Sequence, residues 1–89
     1  MVIVAKDIKF APTAPTVPAG ASVTLTLDNQ DATVSHDIEV FDAAGNVVAQ
    51  TEIAAGPNTR SVTFTLAAGR YPFRCTVHPR EMTGVLTSQ

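Results

Sequence analysis

The chain has no tryptophan, one tyrosine, one cysteine and two histidines among its 89 residues. One cysteine cannot form an internal disulfide, so the fold must hold without that staple, and the thiol must be buried, reactive or ligated. Charged residues make up only 16%, with signs dispersed to a net charge of −2. Without a basic stripe to follow a phosphate backbone, nucleic acid is not expected as a partner. No apolar run approaches the ~18 residues of a membrane span. No basic segment followed by an apolar core marks a secretory signal. A bare Met1 followed at once by VIVA fits an excised or engineered chain. The length suits one domain over residues 1–89, enough for one core. A helical period of useful length is also missing.

What is present is a series of short alternating segments separated by Pro, Gly, Asn and Asp clusters, the pattern of a strand-rich fold. VIVAKDIKF (2–10) reads as a first strand, and APTAPTVPAG (11–20) as an extended edge or loop ending in a turn. SVTLTLD (22–28) alternates, with Val23, Leu25 and Leu27 on one face. SHDIEVF (35–41), VVAQTEI (47–53), RSVTFTL (60–66), RYPFRC (70–75) and a segment from about Gly84 to Ser88 complete the set, with NQDAT (29–33), DAAGN (42–46), AAGPNT (54–59) and AAG (67–69) as turns and loops. The spacing predicts an all-β, two-sheet antiparallel β-sandwich of seven to eight strands.

Strand phase then selects residues. In SHDIEVF, His36 shares a face with Ile38 and Val40, while Asp37 and Glu39 point the other way. In RYPFRC, Cys75 shares a face with Tyr71 and Phe73, while Arg70 and Arg74 point out. The two-residue period therefore aims both His36 and Cys75 inward, each at a strand end. An imidazole aimed inward needs a partner. The stretch CTVHPREM gathers the only cysteine, the second histidine and the only methionine beyond Met1. Together the residues have the spacing H-x38-C-x2-H-x3-M.

The softness of these donors chooses among metals. Structural zinc sites take four Cys/His ligands without thioether sulfur, iron–sulfur clusters take about four cysteines, and calcium and magnesium take oxygen. One thiolate, two imidazoles and a thioether form the blue-copper set, competent in both Cu(I) and Cu(II). Taken singly, His36 reads as a satisfied core histidine, Cys75 as a small buried hydrophobe and Met82 as core filler. The combination, in this order on an all-β pattern, favours copper.

With the SHDIEV strand and the segment YPFRCTVHPREMTGVL in view, the chain resembles a small cupredoxin of the plastocyanin, pseudoazurin and amicyanin kind. Its opening FAPTAPTVPAGASVTL resembles that family's first hairpin. The resemblance implies a Greek-key sandwich and one type 1 copper per chain. His36, Cys75 and His78 would be equatorial ligands and Met82 the axial one. It implies electron transfer without catalysis, a monomer, and a periplasmic or otherwise extracytoplasmic location. It also implies that the residue after His36 ties the ligand strand to the residue after the cysteine, here an Asp37–Thr76 hydrogen bond; solvent exposure of Asp37 is the alternative. One interval departs from the family: x3 between His78 and Met82 is longer than in amicyanin-like loops and shorter than in plastocyanin-like ones. That leaves Glu81 as a competing donor.

Two other functions are weighed. A cupredoxin domain of a larger copper enzyme would place a histidine beside the cysteine, whereas Arg74 and Thr76 flank Cys75. A copper carrier module would favour Met- and His-rich sites or paired cysteines. The expected partners are transient protein redox partners docking near His78, with Pro79, Ala32 and Val34 as an apolar collar and Arg80 at the rim.

Overall fold

The computed structural model describes all residues, 1–89. It has eleven strands and no helix, so no helix is long and apolar enough to cross a membrane. Where the sequence suggests one opening strand, there are two. β1 (Val2–Lys6) and β2 (Lys9–Ala11) form a hairpin, because Asp7 and Ile8 take φ of 54° and 57°. Two successive left-handed residues make the tight turn whose twist matches paired strands. Ile8 is β-branched in a conformation that normally belongs to Gly or Asn, so the sequence KDIK does not announce the turn.

The proline-rich segment contributes the short β3 (Thr16–Val17) and turns at Gly20, whose φ is 75°. β4 (Ser22–Asn29) then buries Val23, Leu25 and Leu27, as the alternation predicts. Its outward Thr24 and Thr26 hydroxyls bond across to Thr63 and Ser61 of β9 (Asn58–Thr65). The remaining strands are β5 (Ser35–His36), β6 (Glu39–Phe41), β7 (Val47–Gln50), β8 (Ala54–Ala55), β10 (Gly69–Arg74) and β11 (Thr83–Ser88).

One sheet has the order β2-β1-β4-β9 and the other β3-β11-β10-β6-β7, while β5 and β8 form a small pair of their own. The sandwich is the expected one, but its sheets are mixed rather than wholly antiparallel. β1 runs parallel to β4, and β3 parallel to β11. The chain leaves the first sheet after β2, touches the second at β3 and returns at β4. A strand reached by such a crossover can lie parallel to its neighbour. The strand count rises above eight because two expected strands are split and two expected loops pair briefly, at Thr16–Val17 and Ala54–Ala55.

The core lies between the sheets. Ile3, Leu25 and Leu27 from one and Val40, Phe73 and Leu86 from the other belong to a single buried cluster, which also includes Cys75 and Met82. The Phe10 and Phe73 rings pack tilted, with centroids 5.6 Å apart. Gly84 of β11 sits under that packing: a Cβ there would meet the Phe73 ring and the Thr13 carbonyl.

The SHDIEVF segment is not continuous. β5 ends at His36, paired with Ala54, and β6 restarts at Glu39, paired with Arg74 and Gln50. Between them the chain changes partners, and the Ile38 N–H donates to the Thr51 hydroxyl at 3.0 Å. Alternation fails across this break. His36, Asp37 and Ile38 are all buried, so Asp37 does not face solvent.

Candidate metal centre

His36 is the last residue of β5, held against β8 by the Ala54 pairing. Cys75 is the residue immediately after β10, at the same end of the sandwich, because Arg74 pairs with Glu39 just beyond His36. The loop from Cys75 to Met82 closes on itself. The Cys75 N–H donates to the Met82 carbonyl and the Met82 N–H to the His78 carbonyl, each at 3.0 Å. Three of the four residues singled out by spacing are therefore tied by backbone bonds inside one loop.

The Cys75 and His78 side chains converge with that of His36. Cys75 Sγ lies 3.8 Å from His36 Nδ1 and 4.0 Å from His78 Nδ1, and the three donor atoms fall within 4.8 Å of one another. The two imidazoles meet edge to face with centroids 5.1 Å apart. His36 and Cys75 are buried and His78 is half-buried. Met82 is fully buried, whereas its neighbour Glu81 is exposed.

These distances suit a metal between the donors. Bonds of about 2.3 Å to thiolate and about 2.0–2.1 Å to imidazole, opened to a trigonal angle, put sulfur and nitrogen about 3.8 Å apart. A tetrahedral angle would bring them to about 3.5 Å. The observed distances leave room for one metal between the three donors. One soft thiolate with two imidazoles and a buried thioether nearby in the chain is a donor set for copper.

The orientation of His36 comes from a residue the sequence reading passed over. Its Nε2 lies 2.7 Å from Asp31 Oδ2. A carboxylate only accepts, so Nε2 carries the proton, and in the neutral ring Nδ1 keeps its lone pair on the side facing Cys75. Asp31 also accepts the Asp7 N–H at 2.6 Å and the Ile8 N–H at 3.0 Å. Burial pushes its carboxyl up, but the bonds from His36, Ile8 and Asp7 outweigh that and hold it below the ordinary carboxylate value. The Asp31 loop is itself pinned by buried Asn29, which accepts the Asp31 N–H and donates to the Val34 and Ala54 carbonyls. The available signal was that an inward imidazole has two nitrogens, and the second needed an acceptor in a preceding loop.

On the other side, Asp37 accepts the Thr76 N–H at 2.7 Å and the Thr76 hydroxyl at 2.8 Å. The bond implied by the resemblance is thus present, and it joins the residue after His36 to the residue after Cys75. Arg74, expected to point out, pairs with Glu39 at 3.1 Å and lies 5.0 Å over the Phe41 ring. Arg80, Pro79 and Ala32 are exposed, and Val34 is partly so. Val77, next to His78, is 45% exposed and adds an apolar side chain to that loop.

Solved structures share this architecture. Auracyanin A, a "blue" copper protein from Chloroflexus aurantiacus, is 29% identical with a TM-score of 0.88, covering 100% of this chain and 97% of its own. Reduced auracyanin from Roseiflexus castenholzii shares the fold at 24% identity and a TM-score of 0.88, over 99% of this chain and 94% of its own. The reduced Cu(I) form of an amicyanin variant is 26% identical with a TM-score of 0.78, over 100% of this chain and 81% of its own. Among curated proteins there is no match. The cupredoxin-like domain family matches residues 1–88, and this chain belongs to that family.

Proposed function

We infer that this chain is a type 1 copper protein that carries single electrons between protein partners and catalyses no reaction itself. The observation that carries the inference is the buried Cys75 sulfur with an imidazole Nδ1 at 3.8 Å and another at 4.0 Å. The likeness to blue copper proteins over the whole chain supports it. Bound copper supplies a one-electron Cu(II)/Cu(I) couple. His36, Cys75 and His78 would hold the metal, with the Met82 thioether as a fourth, weaker donor, one metal per chain. The closed 75–82 loop and the Asp37–Thr76 bonds hold the donors in one geometry, as outer partners of metal ligands do. Both histidines belong to the set and Cys75 is flanked by Arg74 and Thr76. Within these residues no further histidine stands beside Cys75 to pass electrons to a second copper, and no second cysteine pairs with it as in a carrier. The proposed setting is extracytoplasmic and the proposed state monomeric, as the family resemblance implies.

Met82→Leu should leave copper bound and raise the reduction potential, because a donor that favours Cu(II) is lost. A tenfold change in the one-electron equilibrium, about 59 mV, is the expected scale. Glu81→Gln should change little, since that side chain is exposed. Voltammetry of the two variants checks the assignment. A shift with Glu81→Gln and none with Met82→Leu would make the axial donor a carboxylate.

Electrons are proposed to enter and leave at His78, the less buried imidazole, through a patch bearing exposed Val77 and Pro79. Transient redox contacts are small, below ~1,200 Å², and Arg80 beside the patch suits an acidic partner. Electron self-exchange tests both the carrier function and this port. Pro79→Glu should leave the copper spectrum unchanged and slow exchange roughly tenfold at low salt, because the added carboxylate joins exposed Glu81, outweighs Arg80 and makes two negative patches meet, with recovery as salt screens them. An unchanged rate moves the port elsewhere, and a wild type that does not exchange electrons at all overturns the carrier.

A further inference from the structure

We propose that Asp31 is a positioning residue of the metal centre. Its carboxylate fixes His36 with Nδ1 free to bind and ties that imidazole to the turn between β1 and β2, and its negative charge stabilises the oxidised metal. The inference rests on the copper reading above and adds a residue outside the ligand set. Three donors converge on the one side chain: His36 Nε2 at 2.7 Å, the Asp7 N–H at 2.6 Å and the Ile8 N–H at 3.0 Å. The first comes from the ligand. The other two come from a turn whose residues both sit at positive φ, one of them the β-branched Ile8. Such backbone persists only where its surroundings hold it, and the Asp31 carboxylate is what its two N–H groups bond. The carboxylate is in turn supported from below, since Asn29 accepts the Asp31 N–H and is itself bonded to the Val34 and Ala54 carbonyls. At Gly56 a Cβ would run into the Asp31 carbonyl and the Asn29 side chain. The Asp31 loop is thus packed closely on several sides, and a carboxylate held this way orients the imidazole it touches.

The electrostatic consequence follows from sign. Copper carries one more positive charge when oxidised, so a fixed negative charge one imidazole away favours Cu(II) and lowers the potential. Losing it should shift the Cu(II)/Cu(I) equilibrium towards Cu(I).

The test combines a wild-type measurement with three variants. In the metal-free protein, nitrogen NMR of the rings should show His36 with a protonated, exchange-protected Nε2 and an unprotonated Nδ1. A His36 ring protonated at Nδ1 alone would overturn the proposal without any variant being made. Asp31→Asn keeps an acceptor and removes the charge. Copper-loaded, it should retain the visible band and shift the equilibrium roughly tenfold towards Cu(I), about 59 mV higher. Asp31→Ala should in addition lose the exchange protection of the His36 ring proton. Asp42→Asn, which removes the same charge in the β6–β7 turn at the opposite end, serves as the control and should shift the equilibrium less than twofold. Equal potentials for Asp31→Asn and Asp42→Asn, in proteins that both bind copper, would overturn Asp31 alone. If wild type itself takes up no copper, the functional reading fails, and the ring tautomer of the metal-free protein still decides whether Asp31 positions His36.

Discussion

Cys75→Ser is expected to abolish the intense visible band that Cu(II) produces with this protein, while the sandwich stays folded. The colour of a type 1 site arises from charge transfer from thiolate to copper, and Cys75 supplies the chain's only thiol. A serine hydroxyl is a harder and weaker donor that stays protonated at neutral pH, so the soft member of the set is lost and the two imidazoles remain. The fold should survive because the replacement is nearly isosteric in a fully buried position. The new hydroxyl lies beyond hydrogen-bond reach of His36 Nδ1, since even the longer-bonded sulfur is 3.8 Å from it. A buried hydroxyl without a partner costs about 1–3 kcal/mol, which a single-domain sandwich tolerates. Visible spectra after adding Cu(II), with denaturant unfolding of the same samples, separate the two effects. A serine variant that kept the band would place the chromophore somewhere other than Cys75.

Asp37→Ala should have the largest effect on stability of any change next to the ligands, about 2–4 kcal/mol. Asp37 is completely buried and receives the Thr76 N–H, the Thr76 hydroxyl and, at 3.3 Å, the Gln50 amide. Alanine leaves those donors in a buried space without an acceptor. Because Thr76 follows Cys75 directly, the loss should also loosen the cysteine and broaden the copper band. Asp37→Asn is the informative contrast: its oxygen can take the Thr76 N–H and its amide can donate to the Thr76 hydroxyl, so it should cost less than about 1 kcal/mol. Denaturant midpoints measure both. An alanine variant as stable as the asparagine one would mean that water replaces the carboxylate and that the link does not hold the site.

Strand phase placed His36 and Cys75 correctly, because each ends a segment that keeps its pleat up to that residue. It did not reveal that Asp37 is buried as well, because the chain changes partners between His36 and Glu39 and no Gly or Pro marks the break. The hairpin at Asp7 and Ile8 was invisible for a related reason. A β-branched residue in a left-handed turn contradicts its local preference, and the contacts that allow it come from Asp31, far along the chain. The parallel pairings of β1 with β4 and β3 with β11 are likewise set by where the chain crosses between sheets, which local patterns do not encode. The cluster of His36, Cys75 and His78 was legible because its chemistry is rare in this composition. Asp31 was not, since an aspartate in a polar loop has many uses and only the fold shows which donors it faces.

His36, Cys75, His78 and Met82 are proposed to hold one copper between them. Titrating metal-free protein with Cu(II) under anaerobic conditions, followed by visible absorption, tests it most directly. An intense band should grow linearly and stop at one equivalent, be bleached by a one-electron reductant, and not be prevented by equimolar zinc. A colourless Cu(II) complex, or zinc bound in preference to copper, would contradict it.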